Sequence, residues 1–170
     1  MRMHVYAGRG DETGPACVVT HGIGSNGATY APLLRRLLPQ TSNLWAPELP
    51  GHGFSDMPKP LPTASDFYEH LQATLDGMIS KPVLLVGNSM GGGLALRYAL
   101  DRPHNVSHLV LCSPAGAPMS DENWAELKSL FTIDTAEDGL RFLHRLLHRP
   151  RWFHRLAGGQ IKEMLDRPII

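Results

Sequence analysis

The run Val83-Leu84-Leu85-Val86 passes directly into Gly87-Asn88-Ser89-Met90-Gly91 and then into a stretch carrying Leu94, Leu96, Tyr98 and Leu100. Four consecutive large aliphatic residues read as a strand covered on both faces, as in the middle of a parallel sheet. The apolar spacing beyond Gly91 is helical, and Asp101-Arg102-Pro103 ends it. A strand that becomes a helix through a turn bracketed by glycines restricts the chain to a fold built from strand–helix units.

The same unit recurs on either side. Ala16-Cys17-Val18-Val19-Thr20 is a short β-branched strand ending in His21-Gly22, followed by a glycine-containing loop to Gly27. Tyr30, Leu33, Leu34, Leu37 and Leu38 recur at helical spacing, with Pro32 tolerable in the first turn and Pro39 as the stop. Asn43-Leu44-Trp45-Ala46 is a second strand, leading through Pro47-Glu48-Leu49-Pro50-Gly51 into a proline-rich loop up to Pro62. Phe67, Leu71, Leu75, Met78 and Ile79 share one helix face. Val106 to Cys112 is a fourth strand, closed by Ser113-Pro114-Ala115-Gly116. The order β-α-β-α-β-α-β predicts an α/β fold with a mostly parallel sheet and right-handed crossovers. After Pro118 only helical periods remain, through Trp124, Leu127, Leu130 and Phe131 and then Leu140, Leu143 and Leu147. The sequence therefore divides into an α/β part, 1–118, and a helical part, 119–170.

Composition narrows the class. Lysine plus arginine and aspartate plus glutamate both count 16, so the formal net charge is zero. That gives no global attraction to nucleic acid and favours self-association. No apolar run approaches the ~18 residues of a membrane span. The N-terminus lacks the apolar core of a signal peptide, which predicts a cytoplasmic protein. Cys17 and Cys112 both lie in apolar runs and read as buried, inert thiols; no disulfide framework or zinc site is expected.

Gly87-Asn88-Ser89-Met90-Gly91 has the G-x-S-x-G form of a nucleophile elbow, in the strand–turn–helix setting that form requires. Such a turn lifts the serine oxygen clear of the sheet. The following helix points its positive end at the place where an oxyanion forms, and Met90 N–H becomes a donor to it.

Three further motifs accompany the elbow in order: His21-Gly22-Ile23-Gly24 after the first strand, Leu49-Pro50-Gly51-His52-Gly53-Phe54-Ser55-Asp56 after the second, and Val110-Leu111-Cys112-Ser113-Pro114 at the fourth. Together they resemble the α/β-hydrolase superfamily over residues 16–118, and the elbow is similar to those of carboxylesterases and of meta-cleavage-product (C–C bond) hydrolases. The resemblance implies that Ser89 is the nucleophile and that Ile23 and Met90 supply the oxyanion N–H groups. It implies that residues 119–170 are a lid, with Gly22, Gly24, Asn88, Phe131, Leu143, Trp152 and Phe153 as candidate substrate-lining residues. No cofactor or metal is implied. A serine at the elbow argues against the alkyl-enzyme chemistry of an aspartate.

The family's catalytic acid and histidine follow the lid in chain order. This sequence reaches Ile170 within the helical part, so both are expected to be missing, and Pro168-Ile169-Ile170 reads as the start of a further strand. His21 and His52 are read as loop-shaping residues, and His104 and His108 as surface residues. His144 and His148 have metal-compatible spacing but lack the glutamate of H-E-x-x-H. Asp121, Glu122 and Asp134 suit helix starts. The arginine-rich stretch 141–155 reads as the solvated face of a lid helix. A sheet ending at the fourth strand would leave an open edge for self-association. The function expected is a serine hydrolase acting on a small ester, thioester or related carbonyl substrate, with a catalytically inactive binding module as the alternative.

Overall fold

In a computed structural model of the chain, the structure describes residues 1–146. The chain divides into two compact units, one ending at Gly116 and one beginning at Ala117. The first unit holds five strands, β1 (Val5–Arg9), β2 (Cys17–Thr20), β3 (Asn43–Pro47), β4 (Val83–Asn88) and β5 (Val106–Cys112), with helices α1 (Ala31–Leu37), α2 (Ala64–Met78) and α3 (Met90–Asp101). The sheet order is β1-β3-β2-β4-β5. Strands β3, β2, β4 and β5 are parallel, whereas β1 joins β3 antiparallel, with Val5 opposite Pro47 and Arg9 opposite Asn43.

Alternation along each strand sorts the core into two faces. Cys17, Val19 and Leu44 pack with Leu84 and Val86 against Tyr30, Leu34, Leu37 and Leu38, which places α1 on one face. Leu33, although part of the same apolar pattern, is exposed. On the other face Val18, Val83 and Leu85 are buried, and α3 contacts both β4 and α2. Helix α2 is set by a capping box, in which Thr63 Oγ1 accepts from Asp66 N–H and Asp66 accepts from Thr63 N–H. It buries Phe67, Leu71 and Leu75, residues four apart along one face, each contributing roughly 1.5–3 kcal/mol. Helix α3 instead buries small residues, Gly91, Gly92 and Ala95, together with Tyr98, while Leu96 and Leu100 are exposed. Its contact with the sheet is therefore a close approach of backbones.

Two expectations change. The sequence pattern omitted β1, a short edge strand that pairs only with β3. Cys112 is exposed, because among the described residues β5 has a single neighbour and both of its faces remain partly open, whereas Cys17 in β2 is fully buried. Burial pushes the Cys17 thiol up to about 11.

In the second unit, α4 (Asp121–Phe131) is capped by Ser120, which accepts from Asn123 N–H. Helix α5 (Ala136–Leu146) follows, with Thr135 accepting from Asp138 N–H. Ile133 and Phe142 form a small buried cluster with Leu130 and Phe131, and the Phe131 and Phe142 rings lie 5.4 Å apart. Arg145 pairs with Glu126 at 2.7 Å and Arg141 with Asp138, so these two members of the arginine-rich stretch already have acidic partners. Trp152, Phe153, His148, the arginines at 149, 151 and 155, and Pro168-Ile169-Ile170 lie outside the described residues.

Candidate active site

Ser89 occupies the junction between β4 and α3 with φ 51° and ψ −121°. A positive φ is rare for a residue bearing a Cβ, and such a conformation persists only where its surroundings enforce it. Here they do. Ser89 N–H donates to Cys112 O at 3.0 Å, and Ser89 O accepts from Gly93 N–H at 3.1 Å and from Ala115 N–H at 2.9 Å. The turn is thus tied to the end of β5, to the first turn of α3 and to the segment after β5.

The glycines around it are explained by distance. A Cβ on Gly87 would lie 2.6 Å from Gly92 Cα, and one on Gly91 would lie 2.3 Å from His21 O. Thr20 Oγ1 reinforces the second approach by donating to Val86 O at 3.2 Å and to Gly91 O at 3.0 Å. On the other side of the serine, a Cβ on Gly22 would sit 3.0 Å from Ser89 Cβ. The loop after β2 is therefore pressed directly against the serine.

That loop makes a turn at Ile23-Gly24, closed by Ser25 N–H donating to Gly22 O at 3.2 Å. Gly24 has φ 66°, the left-handed value that the third position of such a turn can require. Three hydrogen bonds fasten the loop to the segment after β3. Gly24 N–H donates to His52 Nε2 at 3.1 Å, Gly27 N–H to Glu48 Oε1 at 3.2 Å, and Leu49 N–H to His21 Nε2 at 3.0 Å. Ile23 lies between the glycine pressed on Ser89 and the glycine tied to His52.

His21, His52 and Glu48 are all buried. His21 Nδ1 lies 2.8 Å from Gly22 O and His52 Nδ1 lies 2.9 Å from Pro50 O, so each ring carries its hydrogen at Nδ1 and accepts at Nε2. Burial depresses the His21 pKa to about 4, with a smaller opposing contribution from its bond to Gly22. Glu48 also accepts from Phe54 N–H at 2.7 Å and meets His4 Nδ1 at 2.9 Å. The sequence pattern did not single out Glu48. The available signal was an acid set among residues that pack as core, Ala46, Pro47, Leu49 and Pro50.

Asn88 precedes the serine and is already engaged. Its Oδ1 accepts from Tyr30 Oη at 2.9 Å, and its Nδ2 donates to Cys112 O at 3.3 Å. Tyr30, read from the sequence as one apolar member of a helix face, thus brings a hydroxyl to the turn. Met90 is the first residue of α3, and the first N–H of a helix has no acceptor within the helix. The Ser89 side chain makes no capping bond to that helix. Among the described residues, no histidine hydrogen-bonds the Ser89 hydroxyl, and no group of three His, Cys, Asp or Glu could hold a metal ion. His144 is an exposed residue of α5. Phe131 belongs to the apolar cluster of the second unit, and Leu143 is half-buried on α5.

The geometry can present a serine oxygen at a helix N-terminus beside a fixed loop peptide. Comparison with known proteins gives the same arrangement a family. LipV, a lipase of Mycobacterium tuberculosis, is 37% identical over 118 residues, covering 69% of this chain and 44% of that protein. A 2-hydroxy-6-oxo-2,4-heptadienoate hydrolase of Pseudomonas putida is 36% identical over 107 residues, covering 61% of this chain and 38% of that one. The chain thus spans less than half the length of these curated relatives. A solved structure of a 2-hydroxy-6-oxo-6-phenylhexa-2,4-dienoate hydrolase from Rhodococcus has the same fold, with a TM-score of 0.78 at 23% identity, covering 98% of this chain and 63% of that one. The family model described as the alpha/beta hydrolase fold matches residues 15–154. On that match, and on the strand order and elbow geometry above, the chain belongs to the alpha/beta hydrolase fold family.

Proposed function

We infer that the chain carries the nucleophile and oxyanion-binding part of a serine hydrolase that cleaves an ester, thioester or related carbonyl bond. The observation that carries this reading is the conformation of Ser89, held at φ 51° between β4 and α3 with Gly22 against its Cβ. Strain of this kind costs about 1–3 kcal/mol and is common where chemistry is done. Ser89 Oγ would attack the carbonyl carbon while its proton passes to a base. Ile23 and Met90 N–H groups would hold the oxygen as it gains charge, aided by the N-terminus of α3. Collapse of the intermediate would expel the protonated leaving group and leave an acyl-serine for water to hydrolyse.

The resemblance to hydrolases supports reading the second unit as a lid and the base and its acid as residues outside these 170. Relatives named as a lipase, a monoglyceride lipase and a 2-hydroxy-6-oxo-2,4-heptadienoate hydrolase support a hydrolytic role and leave the substrate class broad. No helix among the described residues is long and apolar enough to cross a membrane, and a cytoplasmic site of action remains part of this proposal. So does self-association through the side of β5 that pairs with no strand among the described residues.

The test is covalent labelling with a fluorophosphonate, whose phosphoryl oxygen occupies the oxyanion position. Because the base is not among these residues, slow labelling of Ser89 that disappears in Ser89→Ala is expected. A folded protein that is not labelled at Ser89 would overturn the assignment and leave a binding role.

A further inference from the structure

His52 is placed where it can decide the position of an oxyanion donor without touching the substrate. Its Nδ1 faces Pro50 O, which fixes the hydrogen on that nitrogen and leaves Nε2 as an acceptor. Nε2 takes the N–H of Gly24, the residue after Ile23. On the opposite side of Ile23, Gly22 rests against Ser89 Cβ. The peptide carrying Ile23 N–H, whose Gly22 O accepts from His21 Nδ1 and Ser25 N–H, thus has the nucleophile on one side and, on the other, the Ile23–Gly24 peptide held by the buried His52 imidazole. Of the other two ties between these segments, Gly27 N–H to Glu48 lies farther along the chain, and Leu49 N–H to His21 reaches the turn from its other side, through His21 Nδ1 on Gly22 O. The His52 ring is itself held, with His21 at 5.0 Å and Phe67 at 6.0 Å between ring centres.

We propose that His52 is a positioning residue for acyl transfer at Ser89, acting through its Nε2 acceptor on the Ile23-Gly24 turn. The inference rests on the serine-hydrolase reading. An oxyanion donor works only if it already points at the place where charge develops. A peptide that loses its anchor and moves by about 1 Å can cost on the order of 100-fold in rate.

Two substitutions separate this role from simple shaping of the loop. In His52→Gln the side-chain oxygen reaches the place of Nε2 and keeps an acceptor for Gly24. In His52→Asn the side-chain amide reaches only the place of Nδ1, so the tie to Pro50 survives and the tie to Gly24 does not. The measurement is the saturation kinetics of Ser89 phosphonylation by a fluorophosphonate. His52→Gln is expected to stay within about threefold of wild type. His52→Asn is expected to lose about 10- to 100-fold in the limiting rate with an unchanged half-saturation concentration. The reverse order overturns the inference and leaves the hydrolase reading intact. A wild-type protein with no Ser89-dependent reaction overturns both. If His52→Asn does not fold, the nitrogen-15 shifts of the wild-type His52 ring decide: a bare Nε2 coupled to Gly24 N–H is expected, and a protonated Nε2 overturns the inference.

Discussion

The elbow region and the α4–α5 unit are held by different kinds of contact. Around Ser89, backbone meets backbone: Gly91 faces His21 O, Gly87 faces Gly92, and the polar groups of Thr20, His21, Glu48 and His52 are buried and bonded. Among the described residues of the second unit, the buried hydrophobic side chains of Ile133 and Phe142 anchor helices whose arginines pair from exposed positions. The contrast teaches where tolerance ends. Close backbone approach allows no added atom, whereas an exposed ion pair typically contributes only about 0–1 kcal/mol.

The sharpest way to break that contrast is Gly91→Ala. Its new Cβ would meet two backbone oxygens at the end of β2 and just after it, His21 O at 2.3 Å and Thr20 O at 2.7 Å. A loss of about 3 kcal/mol or more is expected, of the order found for severe overpacking. Pulsed thiol labelling of the buried Cys17 reads opening of the first unit directly, and a Cys17 that stays protected to the wild-type denaturant midpoint would contradict the close-approach account.

Acid gives a smaller effect confined to the same region. His21 titrates near 4 in the folded chain because burial disfavours its charge, against an ordinary value of about 6.5 in the unfolded one. Between these values the unfolded state binds the extra proton. The contribution is therefore fully present above about pH 6.5 and is lost as the pH falls toward 4, a change of the order of 2–3 kcal/mol. Denaturant midpoints measured between pH 7 and pH 4.5 should fall, and His21→Gln should flatten the dependence. An unchanged slope in that variant would remove His21 as the cause. The smallest effect is expected in the second unit. Arg145→Ala removes an exposed partner of Glu126 and should cost less than about 1 kcal/mol by circular dichroism. A larger loss would mean that this pair has a structural role its exposure does not suggest.

The parallel strands were legible because each is a short apolar run followed by a helix period, and the turn at Ser89 because its chemistry is local in sequence. Strand β1 was not, since an edge strand with alternating partial exposure, including Gly8 and Arg9, gives little apolar signal. Cys112 was misread for a related reason: Leu109 to Cys112 look like Val83 to Val86, and only the sheet order reveals that one run is central and the other an edge. The histidines were recognisable as loop-shaping residues. Their partners, Leu49 and Gly24, lie 28 residues from them, a separation across which periodicity carries no information. The hydroxyl role of Tyr30 escaped because its spacing fits an apolar helix face equally well.

The backbone at Ser89 sets stability against the display of a side chain within a single residue. Glycine populates positive φ freely, while a serine there carries the steric penalty of its Cβ, roughly 1–2 kcal/mol. The sheet, the glycines and the tied loops supply the surplus that keeps this side chain in place. The residue that the rest of the unit is arranged to present is therefore also one that the fold, considered only as a fold, would be better off without.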